Sequence, residues 1–250
     1  MYIKQTYSTS TLLRELYTKH LPHLYTIRTD FQTAGRGQAG NSWESQEGKN
    51  LLFSALLRYN NIRAIEQWRL SMLVAVALWD VLAKHLPQNA LSIKWPNDIY
   101  YGDKKLVGIL IENALEGAYV GYSIAGIGVN LNQTTWQSNA PNPISMKQIT
   151  GQDYDAEELM NEWIHSMNEW EVRTTEEIKT AYMQHLYRRE GWHMYVEREV
   201  SIAPTAIAQS GIAGAFSANI AGITPQGELI LRTEDNKEKT YHFKQIRFVL

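Results

Sequence analysis

The stretch from residue 91 to residue 131 constrains the fold most. Four strand-like blocks, 91–95, 98–101, 105–115 and 118–131, follow one another with only Pro96-Asn97, Gly102-Asp103 and Glu116-Gly117 as punctuation. Links this short suit hairpins, whereas parallel neighbours need crossovers of roughly a dozen residues. Consecutive hairpins predict a mixed or antiparallel sheet and argue against a doubly wound parallel one.

Helices and further strands surround this block. Ser8-Thr9-Ser10-Thr11 precedes Leu12, Leu13, Leu16 and Tyr17, a helical spacing with hydroxyls available as N-caps, closed by Pro22. Residues 25–31 read as a strand entering a glycine-rich loop, and 51–58 as the strand leaving it. Residues 67–86 are apolar almost all round, and their length favours a buried helix. Pro141 and Pro143 mark a loop. Amphipathic helices follow over 156–170 and 175–188, the first carrying Leu159, Met160, Trp163, Ile164, Met167 and Trp170 on one face. Beyond Gly191 the pattern turns to short β segments, 194–202, 215–223, 228–232 and 239–249, with Pro225-Gln226-Gly227 as a turn. They predict a small barrel of SH3-like size. The class is α+β, divided near Glu190 into units 1–190 and 191–250.

The glycine-rich loop reads Thr33-Ala34-Gly35-Arg36-Gly37-Gln38-Ala39-Gly40-Asn41-Ser42-Trp43. Glycines allow sharp turns and close approach to a ligand, successive N–H groups can cradle an anion, and Arg36 adds a positive fork. Gly35-x-Gly37-x-x-Gly40 also matches the dinucleotide fingerprint, which has meaning only between a buried strand and the helix it opens. Here residues 28–33 are mostly polar and 41–50 lack helical periodicity, so a Rossmann turn is disfavoured. Taken alone, the loop is equally compatible with a structural turn.

Composition removes several chemistries. The 250 residues contain no cysteine, which excludes disulfides, thiolate metal sites and cysteine nucleophiles. A formal net charge of −2 gives no overall basic field for nucleic acid or anionic lipid. Residues 1–11 are polar and lack a signal core, so Asn132-Gln133-Thr134 is read as a chance sequon. The longest apolar run, 70–82, is broken by Trp79-Asp80 and is too short to span a bilayer. A cytoplasmic protein is expected.

Two further stretches carry polar groups in strand-like surroundings. Lys94-Trp95-Pro96-Asn97-Asp98 is followed by Lys104-Lys105-Leu106-Val107-Gly108-Ile109-Leu110-Ile111-Glu112. A lysine among buried strand residues is costly unless it meets an anion, although both lysines could lie on an exposed face or edge. Asn97-Asp98 could be turn chemistry, or could offer oxygens to Mg²⁺. Gly126-Ile127-Gly128-Val129-Asn130-Leu131-Asn132 ends a β block with two glycines, which suits either close ligand approach or a bulge.

Together, Gly35-Arg36-Gly37-x-x-Gly40-x-x-Trp43, Lys94-Trp95-Pro96-Asn97-Asp98, Lys105-Leu106-x-Gly108-Ile109-Leu110-x-Glu112 and Gly126-x-Gly128-x-Asn130 resemble the biotin–protein ligases, in order and spacing. The resemblance runs from about Ser8 to the C-terminus. It implies a mixed sheet packed on helices, of the class II synthetase-like biotin/lipoate ligase type, with an SH3-like barrel behind it. It also implies the activity: biotin and Mg-ATP form biotinyl-5′-AMP and pyrophosphate, and a lysine of a biotin carboxyl carrier protein then takes the biotin.

Carried over by position, Ser8, Thr9, Ser10, Gln32, Arg36, Gly37, Gln38, Lys105 and Gly108 would hold biotin. Gly35, Gly37, Gly40, Trp43, Lys94, Asn97, Asp98 and Asn130 would hold the nucleotide, with Asp98 the candidate Mg²⁺ ligand. Lys105 and Arg36 would be catalytic, offsetting the repulsion between carboxylate and triphosphate. Neither step needs a protein nucleophile, so positioning and electrostatics would dominate.

Two departures stand out. Many relatives have a second arginine where this chain has Gln38, and Ser8-Thr9-Ser10 replaces the usual Ser-Thr-Asn. Only seven residues precede Ser8, so no DNA-binding helix-turn-helix and no repressor role are expected. The expected partners are biotin, ATP and the carrier domain, with neither DNA nor membrane, and the expected state is a monomer or weak homodimer. The rival readings are a lipoate–protein ligase, and a non-catalytic module whose barrel binds protein or nucleic acid. A protein kinase is rejected, because neither His-Arg-Asp nor Asp-Phe-Gly occurs.

Overall fold

The computed structural model describes residues 1–138, 142–198 and 214–249. Pro141, and the 199–202 end of the expected strand 194–202, lie outside the described residues. A seven-stranded sheet is built from β1 (Tyr2–Thr6), β2 (Thr26–Gln32), β3 (Leu51–Leu57), β4 (Leu91–Lys94), β5 (Asp98–Tyr101), β6 (Lys104–Glu116) and β7 (Tyr119–Val129). Its order is β1-β2-β3-β7-β6-β5-β4, antiparallel throughout except for the parallel pair β1 and β2. This is the mixed sheet that the chain of hairpins implies. The hydrophobic pattern does not announce β1, because on this edge strand only Thr6 is buried.

The helices are α1 (Thr9–Leu16), α2 (Trp68–His85), α3 (Met146–Thr150), α4 (Ala156–Glu171) and α5 (Thr175–Gln184). Ser8 caps α1 by accepting from the Thr11 N–H, Asp155 caps α4 through Glu157 and Glu158, and Thr174 with Glu177 forms a capping box on α5. Helix α1 stops at Leu16, well before Pro22. Helix α5 stops at Gln184, short of the expected 188, because the next residues pair with β4 instead. The Ile93 N–H donates to His185 O at 2.7 Å and the Tyr187 N–H to Ile93 O at 2.8 Å.

The sheet is covered unequally. Helix α2 packs against α4, α5 and the β4–β6 side, and its nearly all-round apolar surface disappears into one large core. On the other face α1 alone closes a small cluster of Leu13, Ile27, Leu56 and Ile124. The rest of that face is left open, and the cavity described below lies there.

A second, antiparallel sheet contains β8 (His193–Glu197), β9 (Ala215–Ile223), β10 (Leu229–Thr233), β11 (Glu238–Tyr241) and β12 (Ile246–Phe248), ordered β11-β10-β9-β8-β12. The expected strand 239–249 is two strands, broken by a turn in which Lys244 takes φ 77. The turn Pro225-Gln226-Gly227 seats this sheet on α2 and on the β4–β5 turn. Gly227 has φ +90, and a Cβ there would come within 2.4 Å of Trp68. Its carbonyl accepts from Trp95 Nε1 at 2.9 Å.

Candidate active site

The open face of the first sheet is hollowed by missing side chains. Gly108 of β6 lies opposite Gly128 of β7, and Ser54 of β3 opposite Gly126 of β7. Alternation along a strand puts 126 and 128 on the same face as Ser54, so three glycines and a serine leave a trough between larger neighbours. The N-terminal turn of α1 closes one end. There Thr9 N and Thr9 Oγ1 both donate to Gln32 Oε1, at 2.8 and 3.1 Å, Thr9 Oγ1 and Ser54 Oγ are 2.8 Å apart, and Ser8 and Ser10 hydroxyls are 3.1 Å apart. The cavity of about 140 Å³ between these groups therefore has a hydroxyl- and amide-lined end suited to a small polar head group.

Trp43 fills the trough over Gly108 and Gly128 and walls the cavity that remains. A Cβ on Gly108 would lie 2.5 Å from the Trp43 ring, and one on Gly128 2.6 Å from it. Both glycines are thus required by the close approach of an indole to sheet backbone. A Cβ on Gly35 would meet the Trp43 carbonyl at 2.6 Å, which ties the start of the loop to its end. The buried Trp43 Nε1 has no hydrogen-bond partner among the described residues. It lies against the sheet, 2.7 Å from where a Cβ on Gly128 would be, and the buried Nε1 atoms of Trp68 and Trp163 are unpartnered in the same way.

The loop itself is well bonded. The Gly37 N–H donates to Asn41 O at 2.7 Å and the Trp43 N–H to Gly35 O at 3.0 Å. Gln38 Nε2 donates to Asn97 Oδ1 at 2.8 Å, joining the loop to the turn between β4 and β5. Arg36 donates twice to Glu112, at 3.2 and 2.8 Å, and Arg14 approaches the same carboxylate at 2.7 Å. Burial alone would push the Glu112 carboxyl up, but these two guanidinium groups hold it below its ordinary range.

A wider chamber of about 580 Å³ adjoins the first and opens between the two sheets. Its cations are Lys94, Lys105, Arg198, Lys244 and Arg247. Lys105 donates to Asp98 Oδ2 at 2.6 Å. Lys94 donates to the Tyr100 hydroxyl at 3.0 Å and stands over the Tyr100 and Phe248 rings. Burial lowers the Lys94 ammonium to about 8. Asn41, Ser42, Trp43, Asp98, Lys105 and Phe243 line both chambers and define their junction.

The sequence-derived candidates fall into four groups. Ser8, Thr9, Ser10, Gln32, Arg36, Gly37, Gln38 and Gly108 line the small chamber, Lys94 and Asn130 the wide one, and Trp43, Asp98 and Lys105 both. Gly35, Gly40 and Asn97 line neither. Gly35 packs on Trp43, Gly40 takes φ +89 in the loop, and buried Asn97 accepts from Gln38. Asn130 also holds neighbouring backbone, donating to Ile144 O at 3.1 Å. Sequence reasoning passed over Ser54, although a serine inside Leu-Leu-Phe-Ser-Ala-Leu-Leu is a visible signal. Arg198, Phe243, Lys244 and Arg247 reach the site from the second sheet and its flanks, for which local pattern gives no cue.

Comparison with known proteins shows the family and the fold. A sequence model of the biotin/lipoate A/B protein ligase family matches residues 2–130. The bifunctional ligase/repressor BirA of Bacillus subtilis (strain 168) is 31% identical over 241 residues, covering 94% of this chain and 69% of that one. A biotin–[acetyl-CoA-carboxylase] ligase of Paracoccus denitrificans is 31% identical over 206 residues, covering 80% and 81%. Among solved structures, the biotin protein ligase from Aquifex aeolicus in complex with biotin and ATP superposes with a TM-score of 0.72 at 23% identity, covering 100% of this chain and 98% of that one.

Proposed function

The chain belongs to the biotin/lipoate A/B protein ligase family, and from that premise we propose that it is an ATP-dependent biotin–protein ligase. It joins biotin to AMP with release of pyrophosphate, then passes biotin to a lysine of a biotin carboxyl carrier protein domain. The observation that carries this reading is the pair of chambers meeting at Lys105, Asp98 and Trp43. One chamber is small and lined by hydroxyls and an amide, the other wide and basic.

In this reading Ser8, Thr9, Ser10 and Gln32 hydrogen-bond the ureido head of biotin, with Gly37, Gln38 and Gly108 around its chain. The carboxylate points to the junction. Lys105 turns from Asp98 to the substrate carboxylate, and Arg36 stands at the rim of the same chamber. A carboxylate oxygen bonds to the α-phosphorus while the bond to the bridging oxygen breaks and pyrophosphate leaves. The phosphate chain lies along Lys94, Arg198, Lys244 and Arg247, with Trp43 as a wall and Asn130 beside it. Gly35, Gly40 and Asn97 serve the nucleotide by shaping the loop and its anchor.

Mg²⁺ enters as part of Mg-ATP. Among the described residues no group of three His, Cys, Asp or Glu side chains could cage it. One carboxylate plus substrate phosphates is a usual Mg²⁺ donor set, and Asp98 is the carboxylate at the junction. In the second step the neutral amine of the carrier lysine attacks the acyl carbon, the bond to phosphate breaks, and AMP leaves as the amine loses a proton.

Residues 1–190 form the catalytic unit in this proposal, and 191–250 complete its wide chamber. No helix among the described residues is long and apolar enough to cross a membrane. The reading places the enzyme in the cytoplasm, as a monomer or weak dimer without a DNA partner. The test is ATP–pyrophosphate exchange with biotin, followed by detection of biotin on a carrier lysine. Exchange driven by lipoate and not by biotin would overturn it, as would no exchange with any acid.

A further inference from the structure

Phe243 has no role in the core. It sits on the turn between β11 and β12, is 45% exposed, and its ring lies 6.1 Å from that of Trp95. The turn is braced: the Gln245 N–H donates to His242 O at 3.1 Å, the His242 N–H to Gln245 Oε1 at 2.7 Å, and the Arg198 N–H to Gln245 O at 2.8 Å. The next residue, Lys244, takes φ 77, which directs the chain sharply at this point. The backbone is thus shaped to present one aromatic side chain.

What it is presented to is informative. Phe243 lines the small chamber, the wide chamber, and a third depression of about 260 Å³ on the far side, beside Gln67, Trp68, Pro96 and Ile111. Among the described residues it is the one side chain of the second sheet that reaches the small chamber. It shares the junction with Lys105 and Asp98, where the substrate carboxylate and the α-phosphate meet in the reading above. Around it the wide chamber combines the cations Lys94, Lys105, Arg198, Lys244 and Arg247 with the rings of Trp43, Trp95, Tyr100 and Phe248. Of the rings in that chamber only those of Trp43 and Phe243 also line the small one.

We propose that Phe243 shields the acyl-phosphate bond from water, and that the second sheet therefore takes part in preserving the intermediate. This rests on the adenylate-forming reading of the site. A water oxygen reaching the junction would bond to the acyl carbon. The carbon–oxygen bond to phosphate would break, leaving free biotin and AMP, with the water protons passing to solvent and phosphate. Phe243 is the residue that lines both the third depression and the small chamber, so its ring stands between that depression and the junction. Excluding water from a reactive intermediate is a recognised task of residues closing a site.

The test is the partition of the intermediate, which can be read at any overall rate. Wild type, Phe243→Ala and Phe243→Leu are incubated with biotin, Mg-ATP and a purified biotin carboxyl carrier domain, and AMP formed per carrier biotinylated is measured. Phe243→Ala should raise that ratio by about tenfold and Phe243→Leu by less, while Phe243→Trp leaves it near the wild-type value. A ratio equal to wild type in Phe243→Ala overturns the proposal. So does loss of adenylate formation in both smaller variants, since the ring would then serve formation. Dissociation of biotinyl-5′-AMP, followed by intrinsic fluorescence, is measured in parallel. If it speeds up enough to account for the extra AMP, the ring retains the intermediate and does not shield it, and the proposal falls. Absence of biotin-dependent exchange in the wild-type protein would instead overturn the parent reading, and this inference with it.

Discussion

Gly108→Ala places one methyl group beneath Trp43, and the consequence can be worked from distances. The new Cβ would stand 2.5 Å from one ring atom and 2.9 Å from the next, where ordinary contact begins at 3.4 Å. The indole must therefore lift by about 1 Å, since the sheet backbone below cannot yield. Its own backbone is held by the bond to Gly35, so the ring tilts into the small chamber. Overpacking of this size costs about 1–3 kcal/mol where nothing can relax. Here the ring can relax, but only into space that the ligand needs.

The cost should thus appear in binding more than in folding. A loss of about 2 kcal/mol corresponds to a biotin Kd raised roughly thirtyfold, with the melting temperature nearly unchanged. Isothermal titration measures the first and differential scanning calorimetry the second. Trp43→Ala removes the ring that the methyl strikes, so adding Gly108→Ala to it should cost little, and the cycle should show a coupling of at least about 1 kcal/mol. A Kd within threefold of wild type, or an equal loss in the Trp43→Ala background, would refute the claim that the glycine exists for the indole.

Three further outcomes follow from the same geometry. Lys105→Ala should lower biotin-dependent pyrophosphate exchange by about a hundredfold, or ~3 kcal/mol, in a protein whose circular dichroism is unchanged; near-normal exchange would refute its role. Lys94 has an ammonium lowered to about 8 by burial, so it is charged at pH 7 and discharged by pH 9. ATP affinity should fall over that window and fold stability should rise between pH 8 and the ordinary lysine range, because there the unfolded chain binds the extra proton; Lys94→Met should abolish both trends. Gln38→Arg should slow adenylate release by about 1 kcal/mol, because a guanidinium can keep the bond to Asn97 and add charge-assisted contact with phosphate; an unchanged stopped-flow off-rate would show that Gln38 does not limit retention.

Much of this was legible because it rests on local rules. Hairpin punctuation between 91 and 131 gave the sheet order from β4 to β7, and hydroxyls before Leu12 gave the start of α1. The lysines among apolar strand residues stood out in the sequence, and both line the wide chamber. What escaped is non-local. The end of α5 depends on pairing with Ile93, and β1 on having β2 beside it. Glycine at 108 reads as a weak point in a strand until Trp43 is seen lying on it. Phe243 is unremarkable in Tyr-His-Phe-Lys-Gln, and only the fold brings it to the junction.

The resting arrangement of charges suggests how the site avoids holding its substrate too firmly. Lys105 is already paired with Asp98 at 2.6 Å, and Arg36 with Glu112 at 2.8 Å. In the proposed reading, a substrate carboxylate arriving at Lys105 would exchange one ion pair for another, so little net binding would be gained in the ground state. The α-phosphorus, in contrast, gains charge as the new bond forms, and cations fixed in place act most strongly on that growing charge. Lys94 differs, because its hydrogen bond goes to a tyrosine hydroxyl and burial disfavours its charge. A phosphate chain in the wide chamber would favour the protonated form, and nucleotide binding above pH 8 should take up a proton there. In that reading, pairing at the junction keeps electrostatic stabilisation in reserve until the triphosphate and the carboxylate are both present, whereas Lys94, charged at pH 7, withdraws only above pH 8.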